Sequence, residues 1–406
     1  MGLIVKKFGG TSVGDLDRIR NVANRIVKTY TAGNNVVVIL SAMAGITDGL
    51  IDMAHKITPS PDKREMDVLL ATGEQTSAAL LSITLMSMGY PASSLLGHQA
   101  GVMTNCAFGD ARIVDVGASR IKEYINNRRI VIVAGFQGCD EEGNITTLGR
   151  GGSDTSAVAI AAAIDADSCE IYTDVDGIYT ADPNICEKSR KMDKVSFDEM
   201  LEMASLGAKV LQIRSVELAK KYNVPIHVRS SFNEEEGTMV MDVDSDMESP
   251  VVSGVTHNKN EARITIKTVP DQPGIASKIF SAIAEAGILV DMIIQSSPTD
   301  NLNDLSFTVP KKDFKEAMKI GKRVGSEIGA KDVLGEDSVA KVSVTGVGMK
   351  SHHGVAAKMF TALANENINI SMISTSEIRI SCVIEEKYAE LAVRALHSAF
   401  GLDKEE

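Results

Sequence analysis

Tryptophan is absent from this chain, and Phe, Tyr and Trp together make up only 4% of its 406 residues. The core must therefore be built from Ala, Val, Ile, Leu and the 18 Met. Aromatic platforms for sugars or stacked bases are disfavoured on that count. Cysteine is scarce too. Cys106, Cys139, Cys169, Cys186 and Cys382 are scattered, odd in number and form no C-x-x-C. That pattern suits reduced thiols and a cytoplasmic location, and it argues against a structural zinc site; the Asp-rich 173–184 segment lacks EF-hand spacing, so no metal site is expected. Positive charge is in short supply: 42 Lys and Arg stand against 54 Asp and Glu, a net charge of −12. With no basic stripe to offset it, no nucleic-acid partner is expected. No uninterrupted apolar run approaches ~18 residues and MGLIVKK does not read as a signal peptide, so no membrane association is expected. Overall acidity does not exclude an anionic substrate, since a few local cations can dominate one pocket.

What is present is globular in character, with 44% hydrophobic and 24% charged residues, and a length that suits two to three domains of about 150 residues. Through residue 230, short apolar runs alternate with helical patterns. Leu3–Phe8, Val36–Leu40, Ile130–Ala134, Cys169–Thr173 and Pro225–Val228 read as strands. Leu16–Val27, Met66–Met88 and Thr155–Ile164 read as helices. The alternation predicts an α/β sheet with helices on both faces. Asn233–Pro250 is rich in Asp and Glu and reads as a solvated connector, with a boundary near Asp246.

Beyond it lies an internal repeat. PGIASKIFSAIAEAGILVDMI (273–293) aligns with HGVAAKMFTALANENINISMI (353–373) at a constant offset of 80. An alternating strand precedes each copy, marked by Ile264 and Ile266 or by Val342 and Val344. A helix follows, with apolar residues four apart, and ends at Gly287 or Asn367, residues that tolerate positive φ. Strands at 288–293 and 368–373, then LSFTV (305–309) and RISCVI (379–384), complete a βαββαβ order in each copy. The predicted division is 1–246, 247–336 and 337–406.

Four segments could carry chemistry. Lys7-Phe8-Gly9-Gly10-Thr11-Ser12 ends a strand and precedes a helix; it is either a plain turn or a phosphate cradle with a lysine beside it. Ser41-Ala42-Met43-Ala44-Gly45-Ile46-Thr47 offers two hydroxyls and room for a ligand, or simply caps the next helix. In Leu148-Gly149-Arg150-Gly151-Gly152-Ser153-Asp154, Arg150 presents a planar fork suited to a carboxylate, and Asp154 can hold an ammonium. Thr173-Asp174 through Tyr179 to Asp182-Pro183-Asn184 follows a strand end, where open α/β sheets bind ligands. Glu74 and Lys209 are each ambiguous alone, and His352-His353 lacks partner ligands for zinc.

Together, KFGGTSV (7–13), SAMAGIT (41–47), TGEQ (72–75), LGRGGSD (148–154), TDVDGIYTADP (173–183) and SFDEMLEMASLGAKVLQ (196–212) resemble the aspartate kinases of the amino-acid kinase superfamily, in order and spacing. The repeat resembles that family's paired ACT domains, and the likeness covers nearly the whole chain. It implies a carbamate-kinase-like three-layer αβα sandwich followed by two ferredoxin-like ACT domains. The implied reaction transfers the γ-phosphoryl group of ATP, brought with Mg²⁺, to the β-carboxylate of L-aspartate. The product is 4-phospho-L-aspartate, and the step leads to lysine, threonine and methionine. A kinase for another acid such as glutamate, or a non-catalytic amino-acid sensor, are the alternatives.

By match of motif, Lys7, Glu74, Arg150 and Asp154 are the catalytic set. Ser41, Thr47, Gly151, Gly152 and Ser153 join Glu74, Arg150 and Asp154 around aspartate. Lys7, Phe8, Gly9, Gly10 and Ser12 cradle the nucleotide phosphates. Thr173, Asp174, Tyr179, Asn184, Lys209 and Val210 line the rest of that pocket. Asn184 departs from the Arg often found there, so Lys188, Arg190 or Lys191 would have to supply that cation. Feedback inhibition by lysine, threonine or both is implied at the ACT units, together with a homodimer or tetramer formed through them. The first copy offers Asp271, Gly274, Ile275, Ala276 and Gln295 for an amino-acid effector. Asn367 and Asn369 of a facing second copy would complete that site. Asp291, Ser376 and Glu377 would hold a lysine side chain at a related interface.

Overall fold

A computed structural model describes residues 2–206, 210–242 and 251–404. These residues form two compact units. The first holds the chain through Ile178, then Lys191–Ala204 and 210–242; the second holds Tyr179–Arg190, 205–206 and 251–404. A boundary near Asp246 falls outside the described residues.

In the first unit, Val36–Leu40 and Ile130–Ala134 are buried throughout, as strands covered on both faces must be. They belong to an eight-stranded sheet. Its order is Lys194–Ser196, Thr238–Met241, Ile226–Ser230, Ser168–Thr173, Leu3–Phe8, Asn35–Leu40, Ile130–Ala134, Ala92–Leu95. Every pairing is parallel except that of Ile226–Ser230 with Thr238–Met241. Thr238–Met241 corrects the reading of 233–250 as connector only. Gly237 turns the chain at φ +75, and Thr238 and Val240 alternate inward from an otherwise acidic stretch.

The helices Leu16–Thr31 and Lys63–Ser87 cover one face of the sheet. Ile19, Val22, Ile26, Ala78, Leu81 and Leu85 there meet Phe8, Val36, Val38 and Ile132. By length and composition Lys63–Ser87 could cross a membrane, but half of its most apolar stretch is buried in this unit. Val37, Ile39, Val131 and Val133 are buried on the other face, where the helix Gly152–Ala163 packs. A four-stranded sheet of Ile113–Val116, Val102–Thr104, Gln137–Cys139 and Ile145–Thr147 delivers the chain to the Arg150 loop.

The second unit is one antiparallel six-stranded sheet ordered Ile293–Gln295, Leu302–Pro310, Gly254–Pro270, Asp332–Thr345, Arg379–Glu385, Met372–Thr375. The first copy runs βαββαβ as expected, while the second runs βαββα, with no strand after Ala389–Ala399 among the described residues. Ile264 and Ile266 pack with Ile279, Ile283 and Phe307, and Val342 and Val344 with Met359 and Leu363. Gly287 and Asn367 end their helices at φ +71 and +54. The short strands after these helices begin later than expected, at Ile293 and Met372.

The copies are not separate along the chain. Gly254–Pro270 serves both, pairing through 261–270 with Leu302–Pro310 and through 254–258 with 341–345. Val252 and Val255 enter the core of the second copy. The division 247–336 and 337–406 is thereby corrected: the second copy takes a strand from ahead of the first. A shared strand leaves no open edge between the modules.

Candidate active site

Strand order in the first unit runs outward on both sides of Leu3–Phe8, to Asn35–Leu40 on one side and Ser168–Thr173 on the other. Beyond the carboxyl ends of such strands an α/β sheet leaves a crevice. Here it is a cleft of about 410 Å³. Its walls are Lys7, Gly10, residues Ser41–Gly45, Thr47 and Asp48, then Glu74, Phe136, residues 149–154 and Gln212.

Strand alternation decides where the two adjacent lysines go. Lys6 is buried and pairs with Glu170, its ammonium also donating to the Tyr172 hydroxyl at 3.2 Å. Lys7 lines the cleft, with its Nζ 2.6 Å from Asp154 Oδ1. Asp154 lies in the first turn of Gly152–Ala163. Gly151 caps that helix at φ +73 without a side-chain bond, so neither Ser153 nor Asp154 is consumed as a cap. A β-carbon at Gly151 would fall 1.8 Å from Gln212 Cγ, so the turn needs glycine for both conformation and space. The helix N-terminus and its dipole favour an anion in the cleft.

The loops after the first two strands lie against each other. Ala44 N–H donates to Gly10 O at 3.2 Å, and a β-carbon on Gly10 would sit 2.8 Å from Ala42 O. Thr47 is likewise spared as a cap, because Gly45 begins Ile46–Ile57 at φ +79 with no side-chain bond. Glu74 is 4% exposed rather than a solvated helix residue. Its Oε1 accepts from Ala42 N–H at 3.0 Å, while Oε2 is buried with no hydrogen-bond partner. Burial raises this carboxyl to about 7, against the opposing pull of the Ala42 N–H. Arg150 is exposed at the rim and makes no ion pair among the described residues.

The cleft thus collects Lys7, Gly10, Ser41, Thr47, Glu74 and the Arg150–Asp154 segment from distant stretches of chain. Other expected site residues lie elsewhere. Phe8 is buried and stacks on Tyr172 with ring centroids 4.5 Å apart; Ser12 Oγ is 2.5 Å from Ser231 Oγ. Gly9 N–H donates to Tyr172 O at 3.3 Å, and Thr173 donates to Asp174 Oδ1 at 3.1 Å. Tyr179 and Asn184 belong to the second unit, where the Asn184 amide folds back onto Asp182 Oδ1 at 3.0 Å. Val210 does not line the cleft, and Lys209 lies outside the described residues.

Sequence reasoning did not single out Phe136, Asp48 or Gln212. Phe136 takes φ +67, rare for a bulky side chain, and is held by Ser156 Oγ on its N–H and by Leu148 N–H on its carbonyl. No local motif announces that conformation.

In the second unit, Asp271, Gly274, Ala276, Asp291, Gln295, Asn367, Asn369, Ser376 and Glu377 are exposed and Ile275 is half-buried. Asp271 Oδ1 accepts from Asn303 at 3.2 Å. Asp291 already pairs with buried Lys341, and Glu377 lies 3.1 Å from Lys350. Both carboxylates expected to meet a lysine ligand therefore have internal cations.

Residues 2–230 match the amino acid kinase family, and residues 267–321 and 342–400 match the ACT domain. An aspartate kinase of Stutzerimonas stutzeri is 54% identical over 404 residues, covering 99% of this chain and 98% of that protein. An aspartokinase of Pseudomonas aeruginosa is also 54% identical, over 405 residues with the same coverage of both. The crystal structure of E. coli aspartokinase III in complex with aspartate and ADP, described as its R-state, superimposes with a TM-score of 0.81. It is 25% identical, covering 98% of this chain and 99% of that one. The same enzyme with lysine and aspartate, described as its T-state, gives 0.77 at 26% identity.

Proposed function

The chain belongs to the aspartate kinases, amino acid kinase family members with paired C-terminal ACT domains, and from that membership we propose how its cleft performs phosphoryl transfer. The enzyme moves the γ-phosphoryl group of ATP onto the β-carboxylate of L-aspartate, giving 4-phospho-L-aspartate. The acceptor oxygen is already an anion, so no base has to remove a proton from it. Catalysis then comes from alignment and from charge placed where the transferring group passes.

Lys7 is that charge. Asp154 holds its ammonium at the cleft, ready to turn toward phosphoryl oxygens as negative charge spreads over them. Gly10 lets the backbone of the 9–13 turn approach the phosphates. Arg150 takes an aspartate carboxylate with its fork, and the Gly152–Ser153 helix start adds N–H groups. The unpartnered Oε2 of Glu74 accepts from the α-ammonium, with the Ser41 and Thr47 hydroxyls beside it. Thr173 and Asp174, at the carboxyl end of the Ser168–Thr173 strand, join the nucleotide side of the same unit. Among the described residues no cluster of three His, Cys, Asp or Glu side chains could hold a metal alone. Mg²⁺ brought by ATP would supply charge neutralisation at the phosphates, beside the ammonium of Lys7.

The second unit binds lysine, threonine or both, and lowers activity in a homo-oligomer formed through it. The exposed effector residues support this, since a single chain leaves an amino acid bound there largely in solvent. The enzyme works in the cytoplasm.

The observation that carries the reading is the meeting of Lys7, Glu74, Arg150 and Asp154 around one cleft. Arg150→Ala tests it: losing a charged hydrogen bond of about 1.5–3 kcal/mol should raise the aspartate KM at least tenfold and leave the ATP KM nearly unchanged. Equal rises in both constants would assign Arg150 to another task.

A further inference from the structure

Asp67 lies two helical turns before Glu74 on Lys63–Ser87 and is almost wholly enclosed, at 1% exposure. No lysine or arginine pairs with it among the described residues. A buried carboxylate without a counter-ion must be met by hydrogen-bond donors. Asp67 Oδ2 accepts from the backbone N–H of Thr147 at 2.8 Å and of Gly109 at 3.0 Å. Its Oδ1 accepts from the Thr147 hydroxyl at 2.6 Å.

Two of these bonds go to Thr147, on the chain that leads into the Arg150 loop, and the third to Gly109 on the segment packed beside it. Thr147 ends the strand Ile145–Thr147, and its carbonyl accepts from Ala111 N–H at 2.9 Å. Arg214 closes the same seam from the other side, donating to Leu148 O at 2.5 Å and to Ala111 O at 2.8 Å. Gly149, at φ +73, lies so close that a β-carbon would come within 2.9 Å of Asp110 Oδ1. Residues 109–111 and 147–149 are thus joined, and Arg150 is the next residue of the chain.

Glu74, seven residues further along the helix, holds the opposite loop through Ala42 N–H. Seven residues of α-helix rise about 10 Å. A single rigid element therefore anchors both loops that face each other across the cleft.

We propose that Asp67 is a positioning residue for the acceptor substrate. Its carboxylate fixes the end of the 145–147 strand, and through it the place of Arg150 relative to Glu74. The proposal rests on the reading of Arg150 as the aspartate clamp. Asp67 touches no substrate, so its effect should pass through Arg150 and fall on aspartate rather than on ATP.

The test is steady-state kinetics on the full-length enzyme for Asp67→Ala, Asp67→Asn, Thr147→Val, Arg150→Ala and the Asp67→Ala/Arg150→Ala double variant. Asp67→Ala should raise the aspartate KM about tenfold with the ATP KM within about twofold. Asp67→Asn should return to within about threefold of wild type, because its carbonyl can accept from both N–H groups and its amide can donate to the Thr147 hydroxyl. On the Arg150→Ala background, Asp67→Ala should add less than about twofold, since residues acting as one unit are not additive. A second full tenfold rise there, or an equal rise in both KM values for the single variant, would overturn the proposal. Should Asp67→Ala fail to fold, Thr147→Val carries the test: an aspartate KM raised about threefold supports it and an unchanged one refutes it. An unchanged aspartate KM in Arg150→Ala would sink the clamp reading and this proposal together. A raised one there, beside an unchanged one in Asp67→Ala, would sink this proposal alone.

Discussion

The two units handle buried charge in opposite ways. In the first, Lys7 and Asp154 meet at the cleft wall, Glu74 keeps one buried oxygen without a partner, and Arg150 stands at the rim. In the second, the enclosed charges satisfy each other. Glu261 and Lys341 occupy equivalent positions of the repeat, 80 residues apart, and pair at 3.2 Å, with Asp291 also on Lys341. Burial raises the Glu261 carboxyl, and Lys341 draws it back. The residues available to an effector are left exposed at loops and strand edges. One unit leaves charge at an open cleft; the other pairs its buried charge internally.

The largest expected effect lies in that internal pair. Lys341→Ala would leave two carboxylates together, one of them buried, and should lower stability by about 3–5 kcal/mol. A fall in Tm with the uninhibited kcat retained at low temperature is the expected pattern. An unchanged Tm would show that the pair does not hold the modules together. Lys7→Ala should fall mainly on the reaction, lowering kcat on the order of 10²-fold or more, with a smaller fall in Tm from leaving Asp154 without its cation. Near-normal kcat would remove Lys7 from the reaction.

Why some of this could be read from residue order and some could not has physical reasons. Ile130–Ala134 is a continuous apolar run and Leu3–Phe8 an apolar run broken only by Lys6 and Lys7, and the structure places both as strands with those bounds. The repeat carried its own periodicity, so Ile279, Ile283, Met359 and Leu363 fall in the cores as expected. Lys7, Arg150 and Asp154 stand out as candidates from their glycine-rich segments, and motif resemblance adds Glu74; the cleft brings the four together. Glu74 alone looks like any solvated helix glutamate, because nothing local reveals that the 41–47 loop folds over it. Asp67 is hidden for the same reason: its partners Gly109 and Thr147 are 42 and 80 residues away. The crossed strand of the second unit escaped because 254–258 carries one apolar side chain, Val255, and no alternation, so only its tertiary pairing with 341–345 reveals it.

Regulation gives a smaller effect. Asp271→Ala should abolish inhibition by lysine, threonine or the pair while changing uninhibited kcat little, a coupling of about 1–3 kcal/mol. Titrating wild type and variant with each amino acid and with both checks this. Retained inhibition would move the effector site away from the first copy.

The smallest effect is a pH dependence. Glu74 is raised to about 7 in the folded enzyme, above its ordinary carboxyl value. Through the window from that ordinary value up to about 7, the folded state keeps a proton that the unfolded state has lost. Stability should therefore fall as pH rises across the window and level off above it. An α-ammonium at Oε2 favours the ionised form, so the aspartate KM should fall as pH rises toward 7. Glu74→Gln should flatten both profiles, and profiles that persist in that variant would assign them to other groups.

The most direct measurement is coupled ADP release by the full-length enzyme with ATP and L-aspartate, with ATP and L-glutamate, and with ATP alone, for wild type and Arg150→Ala. The account predicts rapid release with aspartate only, and its loss at sub-saturating aspartate in the variant. Comparable release with glutamate or without acceptor, or a variant indistinguishable from wild type, would contradict it.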